Sequence, residues 1–304
     1  MTTAEAAYAP RVAARASRIE VRGAMQHVLQ WGREGARKLV LLHGWMDVAA
    51  SFQFLVDALE GDWHVIAPDL SGFGRSDWQP RGYWFADYLA DLDALLFIVA
   101  PDAPVALAGH SLGANVVLHY AGVRPARVGR LVALDGFGVR VEGADRAPGK
   151  LAAWLDTQAS APAFAPYASF EAVAQRLMRN DPRLAADKAA FLARHWAARS
   201  PEGDVRLTSD PRHKLPFPTV YRLEETFAVW RRIVAPTLFV AAADSNVPRF
   251  LDPDAPEGSD PLDVVRTRVR EIRDARLVTI ADAGHMLHHD QPAAVARAIE
   301  SFLA

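Results

Sequence analysis

Gly109-His110-Ser111-Leu112-Gly113 is the stretch on which the reading of this chain turns. An apolar run, Val105 to Ala108, leads into it, and a helical run with Val116, Val117, Leu118 and Tyr120 leads out. A serine between two glycines, each two residues away, suits a tight strand-to-helix turn in a strained backbone, where larger side chains would collide. Such a turn lifts the Ser111 hydroxyl above the edge of a sheet, at the positive end of the following helix. The pattern predicts a nucleophile.

Working outward, short apolar runs alternate with amphipathic helical stretches. Arg18–Arg22 and Met25–Gln30 read as an opening strand pair. Lys38–Leu42, Trp63–Ala67, Val105–Ala108, Val128–Leu134, Thr237–Ala243 and Ala275–Ile280 read as further strands. Runs apolar on both faces suit the centre of a parallel sheet covered by helices. Phe85, Tyr88, Leu89, Leu92, Leu95, Leu96 and Val99 form one helical stripe; Val295, Ala298, Ile299, Phe302 and Leu303 form another. The alternation predicts an α/β fold. From Arg140 to Ile233 no strand is legible, and the apolar spacing predicts an all-helical insertion. The expected organisation is a core over 1–139, a helical cap over 140–233 and the rest of the core over 234–304.

A serine hydroxyl needs a base to take its proton and a carboxylate to orient that base. Of the histidines after Ser111, only His285 follows a late strand through a short loop, Ala281 to Gly284. His119 falls inside the helix after the turn and is expected to pack. His288 and His289 are expected to begin or cap the final helix. The spacing of His285, His288, His289 and Asp290 matches no usual zinc pattern, so no metal is expected. Asp244 and Asp135 each end a strand. Asp244 is the first choice for the acid because its strand precedes the one that delivers His285; Asp135 is the alternative.

Acyl transfer builds charge on an oxygen, which backbone N–H groups stabilise. Leu112, next to the nucleophile, and Trp45, in the loop after Leu42, are the expected oxyanion donors. Trp45, His110, Phe73 and Trp154 are the expected pocket residues. The turn Asp69 to Asp77 is read as structural, its glycine spacing unlike a dinucleotide fingerprint.

The chain has 304 residues, 34 basic and 36 acidic, and no cysteine. Near-neutral charge gives no footprint for nucleic acid. Without cysteine there is no disulfide, thiol nucleophile or thiolate metal site. No apolar stretch is long enough to span a bilayer, and Met1 to Ser17 lacks the apolar run of a secretory signal. That segment is expected to be a frayed arm, and the protein a cytoplasmic monomer or homodimer whose partner is a small-molecule substrate.

These residues, in this order, resemble the α/β-hydrolase superfamily of the serine-nucleophile type over nearly the whole chain: Leu41-Leu42-His43-Gly44-Trp45, Asp69–Asp77, Gly109–Gly113, Asp244 and Ala283-Gly284-His285. More narrowly, His43 to Phe52 is similar to the serine hydrolase-like proteins. The resemblance implies an eight-stranded, mostly parallel sheet, a helical cap, the triad Ser111, Asp244 and His285, and no cofactor. Relatives of this fold that open epoxides or dehalogenate use an aspartate nucleophile, which Ser111 disfavours. The expected activity is a carboxylesterase-like serine hydrolysis of an ester or related acyl bond in a small to medium apolar substrate. The alternatives are carbon–carbon bond hydrolysis, a lyase or cofactor-free oxygenase on the same fold, and, further off, a ligand-binding receptor.

Overall fold

The computed structural model describes residues 8–80, 82–158 and 162–304. Its strands are β1 (Arg15–Val21), β2 (Ala24–Trp31), β3 (Arg37–Leu42), β4 (Trp63–Pro68), β5 (Val105–His110), β6 (Val128–Leu134), β7 (Ala197–Arg199), β8 (Val205–Leu207), β9 (Thr237–Ala242) and β10 (Ala275–Ile280). Eight of them form one sheet in the order β1-β2-β4-β3-β5-β6-β9-β10. Only β2 runs against the others, pairing antiparallel with β1 and β4.

Alternation along the central strands explains why both faces must be covered. Leu39 and Leu41 of β3 enter one apolar cluster, Val40 and Leu42 the other. The first cluster is closed by α1 (Gln53–Ala58) and, at the chain's end, by the helix Pro292–Leu303 through Val295, Ile299 and Leu303. The second is closed by α2 (Phe85–Val99) and α3 (Leu112–Val123). Successive residues of a strand point to opposite faces, so a strand buried on both sides is apolar throughout. All six residues of β4 and of β9 are buried.

Between β6 and β9 the chain makes a long excursion. It contains α4 (Ala147–Gln158), α5 (Phe170–Asn180), α6 (Ala186–Trp196) and α7 (Leu223–Trp230). Ser169 starts α5 by accepting the Ala172 N–H on its hydroxyl. The excursion is not all helical: β7 and β8 form an antiparallel hairpin, and Tyr167 bridges to Val205. Strands of three residues show too little alternation to stand out in a sequence. Val173, Leu177, Leu192, Val205 and Leu207 give the excursion its own small core, seated on Phe54 of α1.

After β9 come α8 (Val247–Leu251) and α9 (Asp263–Val269), and after β10 come α10 (Leu287–Asp290) and α11 (Pro292–Leu303). Arg268 of α9 is buried and donates to the carbonyls of Phe137 and Val139 at 2.7 and 3.1 Å. The Gly138 N–H donates to Asn115 Oδ1 at 2.8 Å. The first residues of the excursion are thus bolted to the core.

The expected frayed arm divides in two. Met1–Ala7 lies outside the described residues. Beyond it, the Tyr8 hydroxyl donates to Asp57 Oδ2 at 2.6 Å, its ring packs edge-on against Phe54, and β1 begins at Arg15 rather than Arg18. The aromatic anchor and the β2 ladder order what the alanine-rich composition left featureless.

Candidate active site

Ser111 stands between β5 and α3 with φ 52° and ψ −110°. That left-handed region costs a residue with a side chain about 1–3 kcal/mol. The two glycines let the chain fold this tightly. A Cβ on Gly109 would lie 2.3 Å from the Gly113 carbonyl, and one on Gly113 would lie 2.1 Å from the Leu42 carbonyl oxygen. The Ser111 N–H donates to the Leu134 carbonyl at 3.0 Å, tying the turn to β6.

His285 lies in the loop between β10 and α10. Its Nε2 is 3.0 Å from Ser111 Oγ and its Nδ1 is 2.7 Å from Asp135 Oδ2. With its proton on Nδ1, the ring donates to Asp135 while Nε2 accepts from the serine hydroxyl, the orientation a general base needs.

The carboxylate on His285 is therefore Asp135 and not the first-choice Asp244. Asp135 follows β6 directly at φ 44°, and its N–H donates to the Val240 carbonyl at 2.8 Å. Its side chain is wholly buried. Oδ1 accepts the Ala242 N–H at 3.2 Å; Oδ2 accepts from Ser245 Oγ as well as from His285. Three donors compensate a buried carboxylate that has no Arg or Lys partner among the described residues. Asp244 comes two residues after β9 has ended, and its N–H is held by the Ala283 carbonyl. Its half-exposed carboxylate accepts from Arg183 at 2.8 Å, joining the α5–α6 loop to the core.

His110 sits behind His285 instead of lining the cavity. Burial pushes its ring well below the ordinary imidazole range, and the neighbouring His288 and His285 add to this. The neutral ring donates Nε2–H to the His285 carbonyl at 2.8 Å, fixing the loop that carries the base. Phe73 is also out of the pocket: fully buried, it stacks on His213 at 3.6 Å. His119 packs edge-on against Phe85, with Nδ1–H on the Asn115 carbonyl. In the Asp69 turn, the carboxylate of Asp69 accepts the N–H groups of Ala49 and Arg75 and pairs with His27.

Ser111 and His285 open onto a cavity of about 720 Å³. Trp45, Leu112 and Trp154 line it, together with Tyr83, Trp84 and Phe217. A Cβ on Gly44 would lie 3.3 Å from Ser111 Cβ, so the loop that holds Trp45 passes close beside Ser111. A second, smaller cavity of about 330 Å³ touches the other side of His285; Arg183 and Asp244 line it, and Val247 and Phe250 line both.

Among the described residues, one group has the donor types of a metal site: Asp47, His288 and His289, with ligand atoms within 4.8 Å of one another and all three side chains buried. His288 and His289 lie on α10, one short helix before the final one. Ser51 Oγ occupies the space between the rings, 2.5 Å from His289 Nε2 and 3.4 Å from His288 Nε2. Asp47 Oδ1 already accepts from the Val48 N–H and from Trp196 Nε1. Burial raises the Asp47 carboxyl to about 7 and lowers His289 to about 3. The group reads as a hydrogen-bonded cluster under the excursion, its histidines held neutral by burial.

Comparison with known proteins bears on the fold that carries these residues. The sequence profile of the Alpha/beta hydrolase family matches residues 39–298. The chain belongs to that family. Its relatives are of several kinds. It is 26% identical over 283 residues to a serine hydrolase-like protein of Danio rerio, covering 90% of this chain and 83% of that one. It is 35% identical over 109 residues to lipase LipV of Mycobacterium tuberculosis, a match covering 36% of this chain and 41% of the lipase. Among solved structures, a thioesterase domain from the curacin biosynthetic pathway superposes with a TM-score of 0.84 at 24% identity, over 95% of this chain and 99% of that domain. A hypothetical protein from Pseudomonas aeruginosa superposes with a TM-score of 0.81 at 26% identity, over 95% and 99% of the two chains.

Proposed function

We propose that this alpha/beta hydrolase is a cofactor-independent serine hydrolase that cleaves an ester or related acyl bond through an acyl-enzyme, with Ser111, His285 and Asp135 as its catalytic triad. The observation that carries the reading is the hydrogen-bond chain Ser111 Oγ–His285–Asp135, opening onto the cavity.

His285 Nε2 takes the hydroxyl proton as Ser111 Oγ bonds to the substrate carbonyl carbon. The carbonyl oxygen becomes an oxyanion, held by the N–H groups of Leu112, at the start of α3, and Trp45; such donors contribute about 3–4 kcal/mol. Asp135 stabilises the imidazolium. Collapse of the intermediate breaks the acyl–oxygen bond, and His285 gives its proton to the departing alcohol. His285 then takes a proton from water, whose oxygen attacks the acyl-enzyme; the second collapse returns the proton to Ser111 and frees the acid. The excursion acts as a cap, its aromatic wall selecting small to medium apolar acyl or alcohol groups.

A fluorophosphonate probe tests this reading. The expected result is covalent labelling at Ser111, turnover of p-nitrophenyl esters, and loss of both in Ser111→Ala. A folded protein that neither labels nor turns over any ester would overturn it.

A further inference from the structure

Among the described residues, the cavity wall carries one cation that neither the reaction uses nor a carboxylate pairs. Among its described lining residues the charged groups are Asp135, Arg212 and Lys214. Asp135 is committed to His285. Arg212 is closed on Asp210, with Nε 2.9 Å from Oδ2, and on the Pro80 carbonyl at 2.8 Å. Among the described residues Lys214 has no carboxylate within ion-pair distance; its ammonium lies 5.1 Å from the Phe164 ring centre. The remaining wall is dominated by Trp45, Trp84, Trp154 and Phe217. Lys214 is solvent-exposed, so its charge stands at the open side of the apolar wall, within reach of a polar end projecting from the cavity.

The stem of this lysine also starts from a fixed place. It ends a short turn, Pro211–Lys214, in which the Arg212 N–H is capped by the Asp210 carboxylate. The preceding residue, His213, is stacked between Phe73 and Tyr83 at 3.6 and 3.7 Å, and its carbonyl accepts from Trp45 Nε1 at 3.3 Å. The segment that carries the cation is pinned to the core beside the nucleophile's loop.

We infer that the substrate carries an anionic group, a carboxylate or a phosphate, away from the bond that is cleaved, and that Lys214 pairs with it. The inference rests on the hydrolase reading above and narrows its substrate class from a plain apolar ester to an apolar body with an anionic end. An aromatic wall with one lysine suits such an amphiphile: the rings bury the body and the ammonium neutralises the end.

Two anionic esters and one neutral ester locate the charge. p-Nitrophenyl hemiglutarate carries it on the acyl side, 4-butyryloxybenzoate carries it on the leaving side, and p-nitrophenyl butyrate carries none. The wild type and the Lys214→Met and Lys214→Arg variants are compared. For the anionic ester on the side that Lys214 serves, kcat/KM relative to butyrate falls about tenfold in Lys214→Met, chiefly through KM, as expected for loss of one charge-assisted contact. Lys214→Arg keeps most of the ratio. If neither anionic ester changes its ratio to butyrate in Lys214→Met, the inference is wrong. Calorimetry with adipate, compared between wild type and Lys214→Met, reads the same contact without turnover. If wild type hydrolyses no ester but binds adipate through Lys214, the hydrolase reading fails and the anion site stands.

Discussion

At the scale of single residues, Asp135 is held by its surroundings as tightly as any group in the structure. Its carboxylate receives an amide, a hydroxyl and the imidazole, and its backbone is bonded to β9. Asparagine there would keep the shape but would favour the wrong imidazole tautomer. Asp135→Asn is expected to lower kcat by about 10³–10⁴-fold. Asp244→Asn removes only a half-exposed pair with Arg183, worth at most about 1 kcal/mol, and should leave kcat within about twofold. Steady-state kinetics of the two variants on one ester checks both statements; the reverse ranking would return the role to Asp244. Ser111 and His285 were legible from spacing alone, because a glycine-bracketed serine and a late strand-loop histidine leave few rivals. The acid was not, because both aspartates follow apolar strands. The distinction lies in where β9 ends, and Ala241-Ala242-Ala243 gives no sign of it. Gly136 was the available hint: a Cβ there would meet the Ala114 Cβ at 2.5 Å and the Ser111 carbonyl oxygen at 2.7 Å, marking a close approach beside the nucleophile.

At the scale of elements, the β5–α3 turn couples packing to chemistry. The missing side chain of Gly113 lets α3 lie against the end of β3, whose next residues lead into the Trp45 loop. Gly113→Ala would press a methyl group onto the Leu42 carbonyl and is expected to cost about 1–3 kcal/mol. Because the same contact spaces the serine from that loop, the variant should lose activity beyond its loss of stability. A thermal melt beside an activity measurement well below Tm checks this, and full activity with an unchanged melt would refute it. The central strands were legible because burial on both faces leaves continuous apolar runs. The β7–β8 hairpin was invisible because its three-residue strands alternate too briefly. The pocket was half legible: aromatic residues announced an apolar cap, but nothing local distinguishes Trp154, which faces the cavity, from Phe73, which lies beneath His213.

At the scale of the whole molecule, buried histidines set the response to acid. Burial lowers His213 and His289 from 6.5 to about 3, and holds His110 and His288 well below 6.5. Below pH 6.5 the unfolded chain takes up protons that these folded rings refuse. Their contribution to stability is present above 6.5 and lost as pH falls toward 3. Each ring that stays neutral costs about 1.4 kcal/mol per pH unit over that window. Asp47 acts the other way: raised from 3.8 to about 7, its contribution is present below 3.8 and lost as pH rises through 7. Between pH 6.5 and 5 the histidines outweigh it, so Tm should fall steadily across that range. Calorimetric melts at half-unit intervals check the sign; a flat or rising Tm would contradict it.

The anchors at Phe137, Gly138 and Val139 bear on how such a molecule can change its diet. Asp135 stands two residues before Phe137, and any pull from the excursion would reach it directly were Arg268 and Asn115 not gripping Phe137, Gly138 and Val139, the excursion's first residues. They work as a strain-relief clamp works on a cable. A change of length between Val139 and β9 is thereby expected to leave Asp135 in its place.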